Sequence, residues 1–325
     1  MPTYRLYQGK EIFQLSEQKA EAIIEGFIYE NDTVLLVAPP KMSKTVLAVQ
    51  MGCNLSSGTA FLGMLEIPKP VRVMYIATEM KDEELKDRFI RTSNHIKTIP
   101  DNLILICTKG TNFKFNTNSG RQAVNEVIEA YKSNPPKVIF IDSVYKAIYG
   151  SLTKDDVINN FLVEVDRLAM EFDAAVVMVH HTKKEIKDVE GVAFESSDAD
   201  TYGSQFLLGA VDHVIRLEKI RKENVPLDRM IRCDTQRSGT IVGDIRIRLN
   251  EPDPLYFYTI DMNEAEKNDM MTLLVKANEP MGIAEIVKKM GFGRSKVYQV
   301  LKSLIEEDKI EKTGTKVKMY GIKKG

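Results

Sequence analysis

Residues 38–45 read Ala-Pro-Pro-Lys-Met-Ser-Lys-Thr and follow the buried run Thr33–Ala38. A helical pattern opens at their end. Phosphate chemistry asks for this arrangement. Backbone N–H groups and a helix N-terminus face the anion, a lysine meets the outer phosphates and a hydroxyl meets magnesium. Aligned on the phosphate-loop pattern G-x-x-x-x-G-K-[ST], Lys44 and Thr45 are in place, while Ala38 and Ser43 stand where glycines are usual. A non-glycine residue in the left-handed region costs roughly 1–2 kcal/mol. Both positions are therefore expected to carry that strain, which weakens nucleotide binding without abolishing it. Taken by itself, the loop also fits a plain strand–turn–helix with a surface lysine.

Three further strand ends carry polar chemistry. "KVIFID" ends in Asp142, where a magnesium-coordinating carboxylate is needed; an aspartate there equally suits a helix N-cap. "VMYIATE" ends in Glu79, which can polarise an attacking water or serve as an acid in a first helical turn. "VVMVHH" ends in His180 and His181. Neighbours on a strand face opposite ways, so the two cannot share one task. No third ligand lies at metal-binding spacing from them. The expected nucleotide-binding residues are Ala38, Pro39, Pro40, Lys41, Met42, Ser43, Lys44 and Thr45, with Thr45 and Asp142 on magnesium.

The elements that position these groups follow from periodicity. Runs 33–38, 71–78, 102–107, 137–142 and 174–180 are continuous, β-branched and short, as in strands buried on both faces of a parallel sheet. Amphipathic helical stretches over 82–96, 119–133 and 155–172 alternate with them, predicting an α/β fold. Runs 212–220, 229–236, 244–250 and 254–261 have short polar links and read as antiparallel strands extending one side. Residues 182–204 are polar and acidic and read as a loop. Near residue 262 the pattern turns to short helices (268–278, 282–290, 293–309) and a hairpin around Thr313-Gly314-Thr315. The expected domains are 1–262, with an N-terminal extension of about 20 residues, and 263–325.

Composition sets outer bounds. The 325 residues are 43% hydrophobic and 28% charged with a formal net charge of −1, so no whole-chain field draws nucleic acid or an anionic membrane. Cys53, Cys107 and Cys233 are widely spaced, lie in or beside apolar runs and lack zinc-ligand spacing. With no long apolar run and no signal-peptide core, the expectation is a cytosolic protein without a membrane partner.

In order and spacing, these motifs resemble the RecA-fold ATPases of the RepA hexameric helicase type, with more distant likeness to DnaB, RadA and KaiC. The resemblance runs from about residue 20 to 250. It rests on the opening segment with Gly26, Pro40-Lys41 and "SSGTAFLG", then on "VMYIATEMKDEELKDRF", "VIFIDS", "VVMVHHTKK" and "YGSQFLLGAVDHVIRL". It implies a RecA-like P-loop core, ATP and magnesium as ligands, Glu79 as catalytic glutamate and a γ-phosphate-sensing or DNA-coupling role for His181. It also implies a homo-oligomeric ring, a hexamer or similar. The family's late-strand Lys-x-Arg is reduced here to Arg237, with Thr235 in the lysine's place. Arg237 is read either as the cation reaching the neighbouring subunit's nucleotide or as a solvated hairpin arginine.

DNA is the implied partner. Lys146 in the segment after Asp142, and Lys183, Lys184 and Lys187 after His181, are candidates for single-stranded DNA in a ring channel, with Tyr145 and Tyr149 able to stack. Residues 270–325 hold twelve Lys/Arg against six Asp/Glu, +6, leaving −7 for the remainder. Three helices and a hairpin there resemble a winged helix-turn-helix. Arg294, Ser295, Lys296, Tyr298 and Gln299 open its second helix-turn-helix helix, with Lys316 and Lys318 on the wing, placed for duplex DNA. A wing serving protein contact is the other reading. The expected function is a replicative DNA helicase. Rivals are a weakly hydrolysing or non-hydrolysing ATP- and DNA-binding initiator, loader or regulator, and a RadA- or KaiC-like ATPase without unwinding.

Overall fold

Four of the five apolar runs become the strands that carry the site, each β-branched enough to stay extended and apolar enough to be covered on both faces. The remaining run, Leu103–Cys107, is not buried on both faces as expected but lies at the sheet edge, where Leu105 is 40% exposed. The computed structural model describes residues 8–11, 20–97, 101–181, 205–220, 227–236, 242–260, 262–291, 294–313 and 319–323. In chain order the core holds β1 (Ala22–Ile24), β2 (Ile28–Tyr29), β3 (Thr33–Ala38), α1 (Lys44–Ser57), β4 (Val73–Ala77) and α2 (Asp82–Ile96). Then come β5 (Leu103–Cys107), α3 (Asn118–Tyr131), β6 (Val138–Asp142), α4 (Val144–Ala147), α5 (Asp155–Phe172) and β7 (Ala175–His181). Last are α6 (Gln205–Gly209), β8 (His213–Lys219), β9 (Asp228–Gln236), β10 (Ile245–Asn250) and β11 (Tyr256–Thr259).

One nine-stranded sheet runs β11-β10-β9-β8-β3-β7-β6-β4-β5. Strands β8, β3, β7, β6, β4 and β5 are parallel neighbours, and β9 joins β8 antiparallel. Strand alternation divides the core. Leu35, Val37, Ile76, Ile139, Ile141 and Met178 share a cluster with Val124 of α3 and Phe161, Val165 and Phe172 of α5. The opposite parity, including Tyr75 and Phe140, lies on the other face, where the Tyr75 ring stacks on Phe140 and meets Phe89 of α2 edge-on. The expected α/β class, with a mostly parallel sheet, is the fold found.

The described residues divide into two compact units. One draws on Met1–Lys219, Arg229–Ile245 and Leu249–Tyr258, the other on Ile220–Asp228, Arg246–Arg248 and Thr259–Gly325. The second contains α7 (Met262–Ala277), β12 (Met281–Gly282), α8 (Ile283–Met290), α9 (Arg294–Glu306), β13 (Ile310–Thr313) and β14 (Met319–Ile322). The hairpin pairs Ile310 with Ile322 and Thr313 with Met319, and β12 adds to its β14 edge. This is the expected winged helix, built on Met270, Leu274, Ile286, Val297, Leu301, Leu304 and Tyr320.

The helix expected over 268–278 begins six residues earlier, with the polar "MNEAEKNDM" as the first half of the sixteen-residue helix α7. Two of its acids lie beside cations: Asp269 accepts from buried Arg246 at 3.2 Å, and Glu266 lies 2.8 Å from Lys296. Among the described residues, no helix is long and apolar enough to cross a membrane.

Candidate nucleotide-binding site

Strand register gathers the candidate residues. Ala38 pairs with His181, Asp142 with Ala77 on one side and Val179 on the other, so the carboxyl ends of β3, β4, β6 and β7 finish at one level. In open α/β sheets this is where ligands bind. A cleft of about 770 Å³ opens there, lined by residues 41–45, Glu79, Asp142, Lys146 and His181 of the expected set. It is lined as well by Arg88, Arg91 and Lys109, which no motif named.

The loop resolves the question of the missing glycines. Ala38 is the last residue of β3, buried and paired, and is not among the positive-φ residues. It carries no left-handed strain, contrary to the sequence expectation, because the strand runs through it. Ser43 does adopt the left-handed region, at φ 63° and ψ 32°, and so does Lys41, at φ 65°. Substituting Ser43→Gly relieves roughly 1–2 kcal/mol against roughly 0.4–1 kcal/mol of added unfolded-chain entropy. We expect between about 0 and about 1.6 kcal/mol of added stability, read as a rise in Tm, and tighter nucleotide binding. A lowered Tm would show that the loop holds Ser43 without strain.

Lys44 opens α1 and is buried. Its ammonium donates to Ala38 O at 2.9 Å, Pro39 O at 3.0 Å and His181 Nδ1 at 3.0 Å. An ammonium has no lone pair to give, so Nδ1 accepts and His181 carries its proton on Nε2. That nitrogen lies 3.9 Å from Glu79 Oε2, and Ser143 Oγ donates to the same oxygen at 3.0 Å. His181 is the largest influence on Glu79; with Ser143 it holds the carboxyl at about 2 against the opposing effect of burial. Burial lowers Lys44 to about 8, while Asp142 and Glu79 pull the other way. His180, on the opposite side of β7, is fully buried.

Asp142 is buried and accepts from Tyr75 Oη at 2.7 Å and from the Thr45 hydroxyl. Tyr75 reaches it because β4 and β6 pair in register, with both side chains on the α1 face. Burial raises the Asp142 carboxyl above its ordinary range despite these bonds. A cation would reverse that. One carboxylate and one hydroxyl are hard oxygen donors that suit magnesium, which takes few protein ligands and fills its octahedron with phosphate oxygens and water. Among the described residues no group of three or more His, Cys, Asp or Glu could hold a metal alone. The donors therefore fit magnesium brought with a nucleotide.

Sequence reasoning missed Tyr75, Ser143 and Arg88. Arg88 sits half-buried on α2, facing the cleft one turn after buried Leu85, and its charge acts on Tyr75. The helical period of α2 was the available signal for it. Lys146 is exposed beside the cleft. Arg237, Lys183, Lys184, Lys187, Lys316 and Lys318 lie outside the described residues, as does the side chain of Ser295. On α9, Arg294, Tyr298 and Gln299 are exposed, while Lys296 is drawn to Glu266.

Residues 11–186, more than half of the chain, match the AAA domain family. The chain belongs to the AAA domain family. Its core is the mostly parallel α/β sheet described above, with the phosphate-loop segment between β3 and α1. Beyond the AAA-domain match, residues 259–324 match the sugar-specific transcriptional regulator TrmB. Among solved structures, a KaiC-like protein of the hyperthermophilic archaeon Pyrococcus horikoshii is similar at 14% identity, over 74% of this chain and 94% of that one, with a TM-score of 0.49. No curated protein matches this AAA-domain chain.

Proposed function

We propose that the chain hydrolyses ATP to act on DNA, in its finer form as a ring-forming replicative helicase of the RepA type. The observation that carries this reading is the convergence of Lys44, Thr45, Asp142 and Glu79 at one level of one cleft. Lys44 would leave its three acceptors for the β/γ-phosphates. Thr45 and Asp142 would hold magnesium, whose charge offsets that building on the phosphate oxygens. Glu79, ionised and pinned by Ser143, would orient the attacking water. Arg237 would reach a neighbouring subunit's nucleotide, which makes turnover depend on assembly. Lys146, Lys183 and Lys184 would meet single-stranded DNA, and Arg294, Ser295, Lys296, Tyr298, Gln299, Lys316 and Lys318 duplex DNA, with Lys296 first released from Glu266.

A second reading has its own support. Lys44 is fully engaged by its own loop and by His181 of β7, Lys41 and Ser43 are strained, and the C-terminal match is to a transcriptional regulator. A slowly hydrolysing or non-hydrolysing DNA-binding regulator, or a KaiC-like ATPase, is built from the same parts. Turnover of Mg-ATP by the full chain, with and without single-stranded DNA, separates them. The motor reading expects turnover that single strands stimulate and an assembly in sedimentation. Absent turnover favours the regulator, unstimulated turnover the KaiC-like ATPase, and a strict monomer with ATP and DNA removes the role given to Arg237.

A further inference from the structure

The loop after edge strand β5 has no motif, yet it is built into the segment that follows Asp142. Phe115 N donates to Ala147 O at 2.9 Å. Asn116 brackets the backbone of Tyr149, its Nδ2 donating to Tyr149 O at 2.9 Å and its Oδ1 accepting from Tyr149 N at 2.8 Å. Lys114 Nζ donates to Lys146 O. Beneath, the fully buried Phe115 ring meets Phe113 and Phe161 edge-on. Gly120 of α3 makes room, since a Cβ there would fall 1.7 Å from Lys114 O. The two segments therefore form one rigid surface.

Its chemistry is one-sided. Residues 108–117 and 143–153 hold Lys109, Lys114 and Lys146 and no acid, in a chain whose net charge is −1. The first acids after the second segment, Asp155 and Asp156, open α5 behind Lys154. Burial and the Lys146 charge together lower the Lys114 ammonium, so like charges are held close where an anion would relieve them. Two aromatic rings stand out of this field: Tyr149 is 72% exposed and Tyr145 50%, with Lys146 Nζ 5.3 Å over the Tyr145 ring. Lysines for phosphates beside exposed rings for bases are what an unpaired strand requires, whereas a duplex keeps its bases stacked and an acidic peptide has no use for the rings. The surface also adjoins the cleft: Lys109 and Lys146 line both, and the Lys146 charge acts on Glu79.

We infer that the 108–117 loop, through Lys109, Lys114 and Asn116, is the second half of a single-stranded nucleic-acid platform whose first half is Tyr145, Lys146 and Tyr149. This rests on the DNA-directed reading above and adds to it a loop that the sequence motifs leave unassigned. Lys146 lines the same cleft as Glu79, which gives a route from strand occupancy to that carboxylate.

The test is fluorescence anisotropy of a labelled dT20 on the full chain without nucleotide, with mant-ATP affinity measured on the same preparations to show an intact cleft. Tyr149→Ala, an exposed site, is expected to weaken dT20 binding roughly 5- to 100-fold. Lys114→Ala is expected to weaken it and to lower the slope of log affinity on log salt by about 0.7. The inference is overturned by absent dT20 binding in the parent chain, by unchanged affinity in Tyr149→Ala, by an unchanged salt slope in Lys114→Ala, or by a duplex of equal length binding as tightly with the same sensitivities. ATP turnover with and without dT20 in the parent chain judges the motor reading separately. Affinity lost in the variants without stimulation in the parent keeps the platform and removes the motor.

Discussion

Glu79→Gln retains ATP binding and lowers turnover by roughly 10²–10⁴-fold, the range seen when a positioned acid–base group is removed. Glutamine keeps the length of the side chain and an oxygen for the Ser143 hydroxyl, now at 3.0 Å from Glu79. What disappears is the negative charge. Because His181 and Ser143 hold the carboxyl at about 2, it is ionised at any pH the protein would meet. On the proposed reading Glu79 would act by orienting and polarising water, and it would contribute no pH dependence to the rate above about pH 4. Its sign in folding follows: a depressed carboxyl adds stability above its ordinary value of 4.5, and that stability is lost as the pH falls towards 2. Unchanged turnover in the variant would remove Glu79 from the chemistry. Lost nucleotide binding would instead show that it shapes the cleft.

The parts of this site that were legible in the sequence are those where one physical demand fixes one residue type. Strand β3 occupies Thr33–Ala38 as its apolar run predicts, and α2 and α5 match their amphipathic stretches at both ends, since burial on a sheet tolerates no other pattern. Asp142 closes its strand as the run implies, while Glu79 lies two residues past the end of β4 at Ala77. What escaped was set by register across the sheet. Tyr75 reads as one more apolar strand residue until β4 lies beside β6, and only then does its hydroxyl meet Asp142. Strain likewise moved from Ala38 to Lys41, because pairing with β7 carries the strand through the first glycine position. Helix α7 starts before the expected 268–278 because a polar stretch continues a helix where its charges are met, as Glu266 is by Lys296.

Lys44→Ala is expected to weaken ATP binding about 10- to 100-fold, the worth of a hydrogen bond between charged groups of ~1.5–3 kcal/mol. The variant carries a second, sharper signature in pH. Burial holds the unliganded Lys44 at about 8, well below its ordinary 10.5, and phosphate would raise it again. Below pH 7 the ammonium is charged before and after binding, and affinity is flat. Above pH 8 binding must first recover a proton, so affinity falls, approaching tenfold per unit. At pH 8 about half a proton is taken up per site, visible in calorimetry as a dependence on the buffer's ionisation enthalpy. Folding shows the opposite trend: between pH 8 and 10.5 the unfolded chain holds the extra proton, so the unliganded protein gains stability from Lys44 as the pH rises. Lys44→Ala should abolish both the fall in affinity and the proton uptake. Retention of either would place the titrating group elsewhere and leave the three acceptors around Lys44 as its permanent partners, the state in which the loop binds no phosphate.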